Sequence, residues 1–368
     1  MIDTVILTVP KSKAILLDLT GRGVPPWDLQ KRGKGFEKYV KNASKKDEES
    51  GLYFPRLAEI RRQKETNIKI EFSAPKLLYQ NNLEELRDSD FERVVDILDD
   101  RLKQMGVAFP IDALRNAAVR SVHYSKNIEL TGGYTSQYVI RELGKINVNK
   151  RFDLTRAKYT NDGESMCIYT IAHSFVIYDK IADLAKDKKR AIDQDQTPYQ
   201  TSLFKELKRE KEILRLEVRL SQKRKMDAVF KELGFATDPT FRDVFSTKKS
   251  KKVVNHYWEK MIEGQSIHLF THSLTPKGLL GQILLARKGA KGKTAVYLTG
   301  LLLLARDENG VRELRSMLGK KSDDRTWYRI AKDLRQIAAD LEKTQPREWY
   351  EQVKTALSTY QLVQVACK

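Results

Sequence analysis

Glu71, His123, Tyr178 and Glu217 are residues of this chain whose types could share a phosphoryl-transfer site: two acids, an imidazole and a phenol. Each falls in a run that alternates, and alternation sorts side chains onto the two faces of a β-strand. In the run I-K-I-E-F, Ile68, Ile70 and Phe72 form a core side and leave Lys69 and Glu71 opposite. Around residue 122, Val122 and Tyr124 oppose Ser121, His123 and Ser125. In residues 173–178, Phe175 and Ile177 point inward while Ser174, Val176 and Tyr178 point away. In residues 212–220, Leu214, Leu216, Val218 and Leu220 oppose Ile213, Arg215, Glu217 and Arg219. Four strands thus offer two acids, a histidine and a tyrosine to one polar face. The assignment hangs on register, because a slip of one residue reverses a face.

Cleavage of a nucleic-acid strand needs this mixture. A phenol with a pKa of about 10 is a poor nucleophile at neutral pH. A divalent cation held by a carboxylate and an imidazole polarises a phosphate and stabilises the charge that develops in transfer. The expected metal ligands are Glu217, His123 and Glu71. Oxygen ligands suit Mg²⁺ or Mn²⁺, and the imidazole favours Mn²⁺. Tyr178 is the candidate nucleophile, with Lys180 beside it as a second catalytic residue. Arg215, Arg219 and Lys126 are the candidate DNA contacts, the arginines through their fit to phosphate oxygens.

Each residue also has an ordinary structural reading. A strand tyrosine is commonly packing, a lone histidine a satisfied polar group, and Glu217 between two arginines a solvated ion pair. Other motifs are weaker. His268 and His272 stand four apart, but no Glu follows the first histidine as a zincin requires. Gly132–Gly133, the glycines at 289–292 and Gly21-x-Gly23 do not make a phosphate-binding loop.

The charge balance points the same way. With 68 Lys and Arg against 49 Asp and Glu, the net charge is +19 and spread along the whole length. A polyanionic partner follows, nucleic acid before membrane. Two cysteines, Cys167 and Cys367, exclude a disulfide framework and a cysteine-based zinc site, and fit a reducing cytoplasm. The first ten residues lack the pattern of a signal peptide. The longest apolar stretch, 295–305, is about half a membrane span.

The elements that must position these residues are legible in outline. Strands are expected at 4–9, 14–19, 67–73, 117–128, 151–158, 165–171, 173–178 and 212–220. Helices are expected from Ser89, over 136–146, near Asp179 and over 222–233. Residues 21–50 read as a mobile basic loop, and the lysine-rich stretch before 212 as helical or extended. The order predicts an α+β fold: a mostly antiparallel sheet with helices on one face, spanning 1–235. Residues 236–368 read as a helical, basic domain, either a helix-turn-helix or winged-helix module or a plain bundle.

Five segments, in order, resemble the gene II/X replication-protein family of filamentous phages and related plasmids. They are M-I-D-T-V at the start, I-E-F-S-A-P-K-L-L-Y-Q-N-N (70–82), V-H-Y-S-K-N (122–127), H-S-F-V-I-Y-D-K (173–180) and L-R-L-E-V-R-L (214–220). The resemblance covers residues 1–235 well and the C-terminal part more loosely. It implies a fold like the rolling-circle initiator nucleases. It also implies that 1–235 nicks a replication origin and stays joined to the new 5′ phosphate through tyrosine. The family's nucleophile falls on Tyr178, with Lys180 following, and its strand acid on Glu217. Better-known members carry aspartate where this chain has His123, so the ligand set departs from theirs. The implied partner is origin DNA, duplex and single-stranded, bound in part by 236–368. A host helicase and polymerase are further partners such an initiator calls for. Two rivals stand beside this expectation: a non-catalytic DNA-binding protein, such as a repressor or single-strand binder, and a metal-dependent nuclease in which water attacks.

Overall fold

The computed structural model describes residues 1–17, 37–42, 50–62, 65–146, 156–160, 164–186, 191–192, 197, 211–263, 275–307, 310–319, 324–341 and 348–363. The strands are β1 (Ile2–Pro10), β2 (Ile15–Leu16), β3 (Glu37–Lys41), β4 (Arg56–Arg62), β5 (Glu65–Ser73), β6 (Val107–Ala108), β7 (Ala118–Leu130), β8 (Arg156–Thr160), β9 (Ser165–Tyr169), β10 (His173–Asp179) and β11 (Glu212–Leu220). The fold is α+β, as the element order predicts, with a large antiparallel sheet and helices throughout the C-terminal part.

The chain divides into two compact units that do not follow a single cut. The first comprises Met1–Glu129, Ile171–Val254 and Tyr360–Lys368; the second comprises Leu130–Thr170 and Asn255–Thr359. The expected boundary at 235/236 is therefore corrected. The reason is aromatic packing: Phe241 sets its ring edge-on to Phe72 of β5 at 5.6 Å, and against Phe91 at 5.2 Å. Phe245 adds a contact to Phe91 at 5.3 Å. These rings tie residues after 236 to the sheet.

In the first unit the sheet runs β3-β4-β5-β1-β7-β11-β10. Register places Val5, Leu7 and Val9 of β1 opposite Phe72, Ile70 and Ile68 of β5, all buried. On the other side, Val5 faces Val122 and Leu7 faces Val119. Phe175 and Ile177 of β10 pair with Val218 and Leu216 of β11. This apolar face carries the helix Phe91–Gln104, whose Val94, Val95, Leu98 and Leu102 are buried at helical spacing. It also carries the short helix Phe241–Val244, whose Val244 carbonyl accepts the hydrogen bond of the Tyr124 hydroxyl.

The opposite face is polar, but it is not open along its length. At one end Glu37, Arg56, Lys69 and Glu71 form a half-exposed charge ladder. At the other end the helix Lys180–Leu184 covers it. There Ile213 packs with Leu83, Ile181 and Leu184, and Val363 lies against them. Near this cover, Lys126 donates to Glu85 and to the carbonyl of Gln361, while the backbone N–H of Val363 donates to Glu85. The last described residues thus strap the sheet unit.

The expected helix at 136–146 is present as Ser136–Leu143, capped by Thr135, and that at 222–233 as Lys223–Glu232. β3 and β4 were not anticipated. β3 falls inside the stretch read as a mobile loop, most of which lies outside the described residues. Residues 18–19, 151–155 and 198–210, His268, His272, Gly21, Gly23 and Cys367 lie outside them too. The second unit holds the β8–β9 hairpin and the helices Ser136–Leu143, Pro276–Ala286, Gly292–Arg306, Gly310–Gly319, Asp324–Asp340 and Glu348–Thr359. Gly292–Arg306 packs against the helices on either side of it and against Asp324–Asp340, which makes it the centre of the bundle. Among the described residues, no helix is long and apolar enough to cross a membrane.

If residues 236–254 belong to the sheet unit, Phe241→Ala should cost about 3–5 kcal/mol, the usual loss for truncating a buried phenylalanine. Urea unfolding followed by far-UV circular dichroism reads it. An unchanged midpoint would place Phe241 outside the sheet's core.

Candidate active site

Three of the four expected residues meet. The Tyr178 hydroxyl donates to Glu217 Oε2 at 3.1 Å, and His123 Nδ1 lies 3.5 Å from Glu217 Oε1. Strand order explains the meeting: β7 and β10 flank β11, so their side chains close on Glu217 from both sides. Pairing sets Val176 opposite Glu217 and Tyr178 opposite Arg215, which brings the phenol diagonally onto the carboxylate.

Glu217 is ringed by cations. Arg219, two residues along the same strand, donates through Nε at 2.7 Å, and Arg215 Nε lies 3.9 Å away. Burial by itself would push the Glu217 pKa upward. Arg219, the hydrogen bond from His123 and the charge of Arg215 outweigh it, and hold the carboxyl well below its ordinary 4.5. Glu217 is therefore ionised. Tyr178 is pushed the other way: burial raises its pKa well above 10, the Glu217 charge adds to that, and Arg215 opposes it. The phenol is a hydrogen-bond donor, 1% exposed.

The remaining expected residues stand as follows. Glu71 shares the polar face but is not brought to the cluster. It lies on β5, with β1 between it and β7, and pairs with Lys69 at 2.8 Å and Arg56 at 3.5 Å. Lys180 is buried, its Nζ 5.8 Å from the centre of the Tyr178 ring. Arg215 is buried and engaged by Asp3 at 3.1 Å, Ser125 at 2.9 Å and the Asn82 carbonyl. Lys126 is buried beneath Tyr360 in its pairing with Glu85. Neither Arg215 nor Lys126 presents a surface to DNA. Arg219, with its side chain 28% exposed, and His123, 19% exposed, are the members that solvent reaches.

Asp3 was missed. Strict alternation from Val5, Leu7 and Val9 puts it on the helix-covered face. The β1–β7 register shifts between Ile2 and Val5, and the extra residue turns Asp3 toward Arg215. A lone charge in a strand otherwise without one was the available signal.

Compared with known protein families, curated proteins and solved structures, the chain matches none.

Chemically, Glu217 and His123 are the two groups of the cluster that could donate to a divalent cation. Among the described residues no group of three His, Cys, Asp or Glu gathers as a metal cage. Two protein donors suit Mg²⁺ or Mn²⁺, which keep waters and take phosphate oxygens, and fall short of a structural zinc site.

The depressed Glu217 pKa makes stability pH-dependent. Its contribution is complete above about 4.5, the unfolded value, and drains away as pH falls toward the lower folded value. Thermal melts between pH 6 and pH 2 should show wild type losing stability below 4.5, with a shallower fall in Glu217→Gln. Parallel curves would mean that Glu217 is not held ionised.

Proposed function

We propose that this chain is a site-specific DNA nickase that initiates rolling-circle replication, with Tyr178 as nucleophile. The observation that carries the reading is the convergence of the Tyr178 hydroxyl, the Glu217 carboxylate and the His123 imidazole from three adjacent strands. The family resemblance names the same tyrosine and the same acid, and the charge of +19 fits a polyanionic substrate.

In this reading the scissile phosphate enters past His123 and Arg219, and Arg219 takes one of its oxygens. Tyr178 Oη bonds to phosphorus as the bond from phosphorus to the 3′ oxygen breaks. The phenolic proton passes to solvent as the cation lowers the hold of Glu217 on it, and the departing 3′ oxygen takes a proton from solvent to become a free hydroxyl. A 5′-phosphotyrosine results, which retains the bond energy for rejoining. A divalent cation, Mg²⁺ or Mn²⁺, would be held by Glu217 and His123 and would neutralise charge on the phosphate. The expected partners are origin DNA, a host helicase and a polymerase, and the expected setting is the bacterial cytoplasm.

A second reading rests on the burial of the phenol. Here Tyr178, Glu217, Arg215 and Asp3 are a structural network, and the protein binds DNA without cleaving it.

The test uses a supercoiled circle carrying the gene and its flanking DNA, with Mn²⁺ or Mg²⁺. The expected result is a relaxed circle and a DNA-linked protein band on a denaturing gel, both lost in Tyr178→Phe. Binding without cleavage supports the structural reading, and cleavage without attachment supports water as nucleophile. His123→Ala should raise the cation concentration for half-maximal nicking at least ten-fold, in line with the loss of a metal's ligand support. An unchanged titration would remove His123 from the metal site.

A further inference from the structure

The helix that follows Phe245 opens with T-K-K-S-K-K, so four lysines fall within five residues: Lys248, Lys249, Lys251 and Lys252. Ser250, Val253 and Val254 are buried, which turns Lys248 and Lys252 outward as exposed side chains one turn apart. Lysines three and four apart repel one another on a helix, and nothing in folding alone calls for the arrangement.

Two acids stand close to the start of the row. Asp88 accepts from the Thr247 backbone N–H and hydroxyl, and Asp243 accepts from the N–H and hydroxyl of Thr240. Both serve as helix caps, and Asp243 also acts on the charge of Lys249. Aromatic rings hold two of the ammonium groups: Lys249 Nζ lies 5.7 Å from the centre of the Phe230 ring and 5.5 Å from that of Phe235, and Lys252 Nζ lies 5.2 Å from that of Phe235. The rings fix where the ammonium groups stand while leaving them cationic. This row lies in the helical layer begun by Phe241 and Phe245, on the side of the sheet away from Glu217.

We propose that Lys248, Lys249, Lys251 and Lys252 form a docking surface for the phosphate backbone of duplex DNA, separate from the nicking site. The inference rests on the proposed function and extends it: the origin duplex is gripped on one side of the sheet while one strand is cut on the other. The face of Phe235 is occupied by lysines, so the surface offers phosphate contacts and no stacking platform for unpaired bases. Binding here is accordingly independent of sequence and steep in salt.

The experiment compares wild type, Lys248→Ala/Lys252→Ala and Lys248→Glu/Lys252→Glu by fluorescence anisotropy on a 30-base-pair duplex and on its single strand, across a salt series. Lys13→Glu/Lys103→Glu carries the same charge change elsewhere on the sheet unit. The alanine pair should weaken duplex binding roughly ten-fold or more and flatten the slope of log K against log salt by about 2, as expected for two lost phosphate contacts. The glutamate pair should weaken it further, with circular dichroism and melting unchanged in both. Wild-type affinity and slope in the variants overturn the proposal. An equal loss in the control pair also overturns it, as does an effect confined to the single strand. The covalent-adduct assay on the same preparations separates the two readings. Wild-type duplex binding without adduct ends the nicking proposal and leaves this surface standing. Adduct formation with variant binding unchanged ends this surface alone.

Discussion

The sheet unit depends on keeping one carboxylate ionised in its interior. A buried charge is costly unless it is paired and hydrogen-bonded. Glu217 meets that condition with a cation on its own strand, an imidazole from one neighbour and a phenol from the other. Arg215 extends the requirement, because its guanidinium is buried too. Asp3, Ser125 and the Asn82 carbonyl answer it. Four strands and the segment after Ala74–Tyr79 are thereby committed to one arrangement of charges. Removing any one partner strands another, so the network fixes strand register as well as side-chain position.

The same network sets the resting state of the phenol. Tyr178 sits against an anion in surroundings with little water, and both factors hold its proton in place. Its oxygen is held against Glu217 with its proton in place. In the proposed function, reactivity arises only when a phosphate and its counter-cation draw on the negative charge of Glu217. Arg219 and His123, at the wetter end, are where that exchange of partners would start.

Much of this was legible in the residues, and the gaps have identifiable causes. Alternation placed Tyr178, His123 and Glu217 on one face because β7, β10 and β11 each have a strict two-residue period at that point. It failed for Asp3, where one extra residue in β1 breaks the period. It failed for β4, whose Leu57, Ala58, Glu59 and Ile60 are all buried, so neither face announces itself. It placed Glu71 on the correct face and could say nothing of the intervening strand that keeps it away from the cluster. Nor could it show the cover over the polar face, which comes from contacts among Leu83, Ile181, Ile213 and Val363, far apart in sequence. The division at 235/236 failed for a related reason: a change in composition marks where helices begin, not which rings Phe241 will touch.

The interleaving of the two units bears on how the chain can be divided. The second unit takes Leu130–Thr170 from the middle of the chain, and the first takes back Tyr360–Lys368 from its end. A fragment that begins near residue 236 would lack the β8–β9 hairpin and the Ser136–Leu143 helix. It would also carry Tyr360, Gln361 and Val363 with no Lys126 or Glu85 to receive them. Such a fragment would therefore have to adopt a packing of its own, and need not inherit the surfaces of the full-length protein.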